Sequence, residues 1–69
     1  MQKYNREKLL SSLQEHIRQR GLRRLKVLEI SLLLDVSPTY ARMLAMEYAK
    51  RNDGWLYEDG ELLKVVEDE

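Results

Sequence analysis

The stretch Val27–Met46, VLEISLLLDVSPTYARMLAM, decides the fold. Its apolar residues follow helical spacing on both sides of a short break, so it reads as two helices joined by a tight turn. Ile30, Leu34, Val36, Ala41 and Leu44 fall where two crossed helices make a small common core. Ser31 supplies the small residue needed at their closest approach. Asp35 stands at the turn position, where the chain requires a positive φ and prefers Gly; Asp is one of the few side chains that visits that conformation routinely. Ser37-Pro38 then starts the second helix, because Ser is a good N-cap and Pro suits the first helical position. The expected helices are 27–34 and 38–51.

Working outward, Asn5 caps an N-terminal helix over 5–20, on which Leu9, Leu10, Leu13 and Ile17 form one apolar stripe. Gly21 fits the C′ position that ends such a helix. Residues 22–26 alternate Leu22 and Leu25 with arginines, a length that permits a brief edge strand or a loop. On the other side, Asn52-Asp53-Gly54 stops the last helix, and two apolar runs follow around Asp59-Gly60. Asp-Gly between such runs signals a two-residue hairpin, because a type I′ turn needs positive φ at both central positions. With those residues as the loop of a hairpin over 54–66, Tyr57 faces Leu62, Leu56 faces Leu63 and Glu58 opposes Glu61. Trp55 and Tyr57 share one face with Leu62 and Lys64; Leu56, Leu63 and Val65 share the other. Only one face can cover the helices, and the pattern leaves open which. The tail over 67–69 is expected to fray.

The order helix, strand, helix, helix, strand, strand resembles that of the small winged helix-turn-helix DNA-binding superfamily. The resemblance covers nearly the whole chain, 1–69, as a single domain. It implies an α+β fold, a winged helix-turn-helix with three helices and a C-terminal β-hairpin wing. It also implies a second helix of the motif presented to the major groove.

Size and composition narrow the alternatives. The 69 residues make one small domain with no cysteine and one histidine, so disulfides and a thiolate or multi-histidine metal site are excluded. No cofactor is expected. No apolar run approaches a membrane span, and a signal-peptide core is absent at the N-terminus, so an intracellular, cytoplasmic protein is expected, with no membrane partner. Twelve basic and twelve acidic side chains cancel, unlike the basic excess of dedicated nucleic-acid binders. The signs are nevertheless segregated: Arg18, Arg20, Arg23, Arg24 and Lys26 lie in the first half, and Glu58, Asp59, Glu61, Glu67, Asp68 and Glu69 lie at the end.

Helix 38–51 buries Ala41, Leu44, Ala45 and Tyr48 on one face and shows Thr39, Tyr40, Arg42, Met43, Met46 and Lys50 on the other. The resemblance implies that the second set, with Ser37 at the helix start, meets base edges and phosphates. Arg42 matches guanine bidentately, Thr39, Tyr40 and Lys50 suit phosphate, and Arg23, Arg24 and Lys26 form a phosphate footprint. Two features point elsewhere. Met43 and Met46 either pack beneath the wing or the first helix or mark an adaptable protein surface. The hairpin tip carries Glu58, Asp59 and Glu61, which phosphate would repel, and these with Tyr57 make a candidate surface for a protein partner. His16 reads as a structural residue beside the first stripe. Ser11, Ser12, Ser31 and Ser37 all have structural explanations, and no catalytic constellation is visible, so no enzymatic activity is expected. The leading expectation is a transcriptional regulator that binds double-stranded DNA. The alternative is a protein-binding winged-helix adaptor, an accessory subunit of a replication, repair or transcription complex. The first helix is the element through which a homodimer would form.

Overall fold

Asn5 starts the first helix as the sequence requires: its side-chain oxygen accepts from the Lys8 N–H at 3.2 Å, and α1 runs Arg6–Arg20. The computed structural model describes residues 5–65. Over these residues the chain continues with β1 (Arg24–Lys26), α2 (Val27–Leu34), α3 (Pro38–Arg51), β2 (Trp55–Glu58) and β3 (Glu61–Lys64). Val66 and the tail over 67–69 lie outside the described residues.

Both helix-ending positions singled out in the sequence adopt the left-handed conformation, Gly21 at φ 61° and Asp35 at φ 57°. The closing bonds are the same at each end. Leu22 N–H donates to Ile17 C=O at 3.1 Å, and Val36 N–H donates to Ser31 C=O at 3.1 Å. Each satisfies a carbonyl that the helix end leaves orphaned. The first of these bonds also explains why β1 begins at Arg24 rather than at Leu22. Leu22 is spent on closing α1, and the ladder starts only where Lys64 N–H donates to Arg23 C=O at 2.8 Å. Ser31 does more than fill a close approach, since its hydroxyl also donates to Val36 C=O at 2.6 Å.

The sheet is antiparallel in the order β1-β3-β2. Tyr57 pairs with Leu62, Leu56 with Leu63 and Glu58 with Glu61. Asp59 (φ 50°) and Gly60 (φ 77°) both take positive φ, as a type I′ turn demands. Leu62 stands opposite Tyr57 on one side and Leu25 on the other, and it is fully buried. That settles which hairpin face covers the helices. Leu25 and Leu62 join the core, and Trp55 and Tyr57 pack half-buried against it. Leu56 and Val65 are exposed on the far face, with Leu63 half-buried there. Tyr48 meets Trp55 edge-on with ring centroids 5.5 Å apart, and the Lys64 ammonium lies 5.7 Å above the indole.

The core unites Leu10, Leu13 and Ile17 of α1, Val27 and Ile30 of α2, Val36, and Ala41, Leu44, Ala45 and Tyr48 of α3 with Leu25 and Leu62. Leu9 and Leu34 are half-buried at its margin. The arrangement is α+β, three helices with a C-terminal hairpin, compatible with a winged-helix fold. Among the described residues no helix is long and apolar enough to cross a membrane.

Three substitutions test this account by chemical denaturation. Asp35→Gly is expected to change stability by less than about 1 kcal/mol, because Gly carries no steric penalty at positive φ. Asp35→Val is expected to cost about 1–2 kcal/mol or more, the penalty for a branched side chain in the left-handed region. Equal effects of Asp35→Gly and Asp35→Val would mean that the left-handed conformation at Asp35 does not govern the turn. Leu62→Ala is expected to cost about 2–5 kcal/mol, since it empties the site where sheet and helices meet.

Candidate nucleic-acid interface

The left-handed turn at Asp35 delivers the chain to Ser37, whose hydroxyl oxygen accepts from Tyr40 N–H at 3.1 Å and caps α3. Pro38 follows in the first turn. Ala41 and Ala45, with no side chain beyond Cβ, and Leu44 are wholly buried. The opposite face is open. Arg42, Met46 and Lys50 follow one another at intervals of four, beside Thr39 and Met43, and all five are exposed. Met43 and Met46 are not covered by the wing or by α1; they are 38% and 49% exposed. Tyr40 departs from the expected open set, being half-buried and packed against the core. The Ser37 hydroxyl is already engaged as a cap, so its role is to start the helix.

Charge pairing divides the basic residues. Arg51 donates two bonds to the Glu7 carboxylate, both 2.8 Å, and a third to Glu47 at 2.9 Å. This ties the end of α3 to the start of α1. The bond from Arg51 holds the Glu7 carboxyl below its ordinary value, and Glu7 and then Glu47 push the Arg51 guanidinium further up. Arg42 and Lys50, by contrast, have no hydrogen-bond or ion-pair partner among the described residues.

Arg23, Arg24 and Lys26 are all exposed, and Arg24 and Lys26 do not extend the α3 face. Leu25 faces inward, so Arg24 and Lys26 on either side of it face outward, and α3 packs on the inner side of the sheet. Arg24 lies 3.6 Å from Glu61, and Lys26 is the strand partner of Glu61. The structure thus brings Thr39, Arg42 and Lys50 together and leaves the β1 cations on another surface.

The hairpin wing is short and is tied at its tip. β1 pairs along β3 from Leu63 to Glu61, up to the turn itself. Val27 N–H then donates to Gly60 C=O at 3.0 Å, which fastens the tip to the start of α2. The exposed Glu58 and Asp59 are therefore held near a helix N-terminus, where the partial positive charge favours them. Tyr57, grouped with the tip in the sequence reading, packs on the core instead.

One apolar feature escaped the sequence reading. Leu28 (64% exposed), Leu32 (84%) and Leu33 (41%) project from α2. A signal for them was present: apart from Glu29 and Ser31, every residue of Val27–Leu34 is apolar. A helix lying on a core can bury only one side of itself. Among the described residues no group of three His, Asp or Glu side chains is placed to hold a metal ion. Comparison of the chain with protein-family models, with curated proteins and with solved structures returns no match.

The ion pair linking α1 and α3 carries a pH signature. The Glu7 carboxyl titrates lower in the folded chain than its ordinary 4.5. Its stabilising contribution is therefore present above that value and is lost as pH falls through the lower folded one. Unfolding midpoints of the natural chain and of Glu7→Gln should differ slightly near neutral pH, because the pair is exposed. They should draw together as pH falls below 4.5 and meet once it passes the lower folded value. A gap independent of pH would mean that the pair contributes nothing through charge.

Proposed function

We propose that this chain is a DNA-binding module that presents α3 to the major groove of double-stranded DNA and serves in the control of transcription. The observation that carries the reading is the open face of α3. Among the described residues Arg42 and Lys50 have no partner on it, while Arg51 at the end of the same helix is neutralised by two carboxylates. Unpaired, exposed cations on a rigid, capped helix lose no intramolecular partner when they meet phosphate or a guanine edge. The transcriptional role rests on the resemblance to winged helix-turn-helix proteins. Thr39 adds a hydroxyl to the same face. The tip of the hairpin wing is bonded to the start of α2, so α3 makes the main contact in this reading. Arg23, Arg24 and Lys26 enter this reading only as a source of long-range attraction.

A second reading keeps a specific observation behind it. Met43 and Met46, exposed in the middle of the same face, suit an adaptable protein interface. The chain would then be an accessory subunit in a nucleic-acid-processing assembly.

Titration against random duplex DNA at several salt concentrations separates the two. With two free cations on α3, log K should fall with log salt at a slope of about −2. Arg42→Ala is expected to weaken binding to a preferred sequence by about 1–3 kcal/mol, the range of one bidentate base contact. Arg51→Ala should leave affinity nearly unchanged. No binding at low salt would exclude DNA as the ligand and favour the adaptor. The triple variant Glu58→Gln, Asp59→Asn, Glu61→Gln, which keeps a turn-compatible Asn-Gly, should alter DNA affinity little, because the tip is fastened to α2. A large, salt-sensitive gain in affinity would instead place the tip beside the duplex.

A further inference from the structure

We infer that the groove bounded by the end of α1, by α2 and by β1 is a docking site for an acidic amphipathic helix of another protein, on a surface separate from the α3 face. The groove is lined by Leu22, Leu32 and Leu33, with His16, Arg20 and Arg24 along it. Leu28 lies one turn before Leu32 and continues the apolar ridge along α2. An aliphatic side chain 84% exposed, as Leu32 is, leaves most of its apolar area in water. With Leu28 and Leu33 beside it, α2 offers a contiguous ridge rather than one scattered surface leucine. Side chains four apart on a helix form the ridge into which a second helix packs.

Charge selects the partner. Arg20 and Arg24 are exposed beside the groove, and Arg24 keeps a 70% exposed side chain even with Glu61 3.6 Å away. The one carboxylate among the described residues lining the groove, that of Glu29, already accepts from Lys26 N–H at 3.0 Å. A lysine ammonium has no acceptor to complete a capping box in return, so this single bond is what holds Glu29 at the start of α2. The available cations thus call for carboxylates on the incoming helix. A second copy of this chain fits less well, because a symmetric pair across the groove would bring the same arginines toward each other.

The probe is a fluorescein-labelled synthetic peptide of about sixteen residues, some four helical turns, with leucines along one face and glutamates elsewhere. Its binding to the full chain is followed by fluorescence anisotropy, without DNA. Saturable binding is expected, weakened roughly tenfold by Leu32→Ser, the loss typical of removing a central apolar anchor. Arg20→Glu with Arg24→Glu should weaken it comparably, and added salt should do so in proportion to the screened charge. Leu32 lies outside the core, so Leu32→Ser should melt no lower than the natural chain; Leu28→Ser is a second variant with the same expectation. Arg42→Ala should bind the peptide normally, so this site and the DNA reading fail independently. Absence of binding would overturn the inference. So would equal binding of a peptide with lysine in place of glutamate, or indifference to Leu32→Ser. A concentration-dependent dimer in sedimentation, abolished by Leu32→Ser and blocking the peptide, would overturn it in favour of a second copy.

Discussion

The turn between α2 and α3 is the constraint on which the rest of the structure depends. Asp35 holds φ 57°, and Ser31 grips Val36 twice, through its carbonyl at 3.1 Å and its hydroxyl at 2.6 Å. Those bonds fix where the chain leaves α2 and so where Ser37 stands to cap α3. They also carry Val36 inward, where it closes the core between the two helices. A slip of one residue here would rotate α3 by about 100°, putting Arg42, Ala45, Met46 and Ala49 where Ala41, Leu44, Ala45 and Tyr48 now pack.

β3 is the complementary anchor. As the central strand it joins β1 and β2, and through Leu62 it contributes the sheet's fully buried side chain. The same pairing restrains the hairpin, because β1 follows β3 to the turn and Val27 holds Gly60. A three-stranded sheet thus gains a ladder at the expense of reach. Its acidic tip becomes part of the α2 start rather than an arm.

A core this small covers only one side of each element, and what remains outside sorts by chemistry. The α3 face is mixed, with cations around two methionines. The α2 face is aliphatic beside arginines. The outer sheet face alternates leucines with charges that pair across strands, as Arg24 does with Glu61. Among the described residues no polar or charged side chain is buried, so the zero net charge is spent at the surface. Arg51 with Glu7 and Glu47 joins two helix ends there.

Local chemistry determined much of this protein in advance. The caps at Asn5 and Ser37, the left-handed positions at Gly21 and Asp35, and the Asp59-Gly60 turn with its register all follow from what a few consecutive residues can do with their own backbone. Helical spacing likewise marked the buried stripe of α3. Other properties needed the assembled chain. Trp55 and Leu56 alternate with similar polarity, so only the packing of Leu62 beside Leu25 on the core decides which face turns inward. The placement of Arg51 against Glu7, forty-four residues away, is a long-range contact with no local sign. Met43 and Met46 remain exposed because neither the hairpin nor α1 reaches them, and Tyr40 does not join them because it packs on the core. Arg24 and Lys26 cluster with the α3 cations in sequence composition but not in space, since they flank the inward-facing Leu25 on the outer side of the sheet. Periodicity tells which residues share a face; only tertiary packing tells what that face meets.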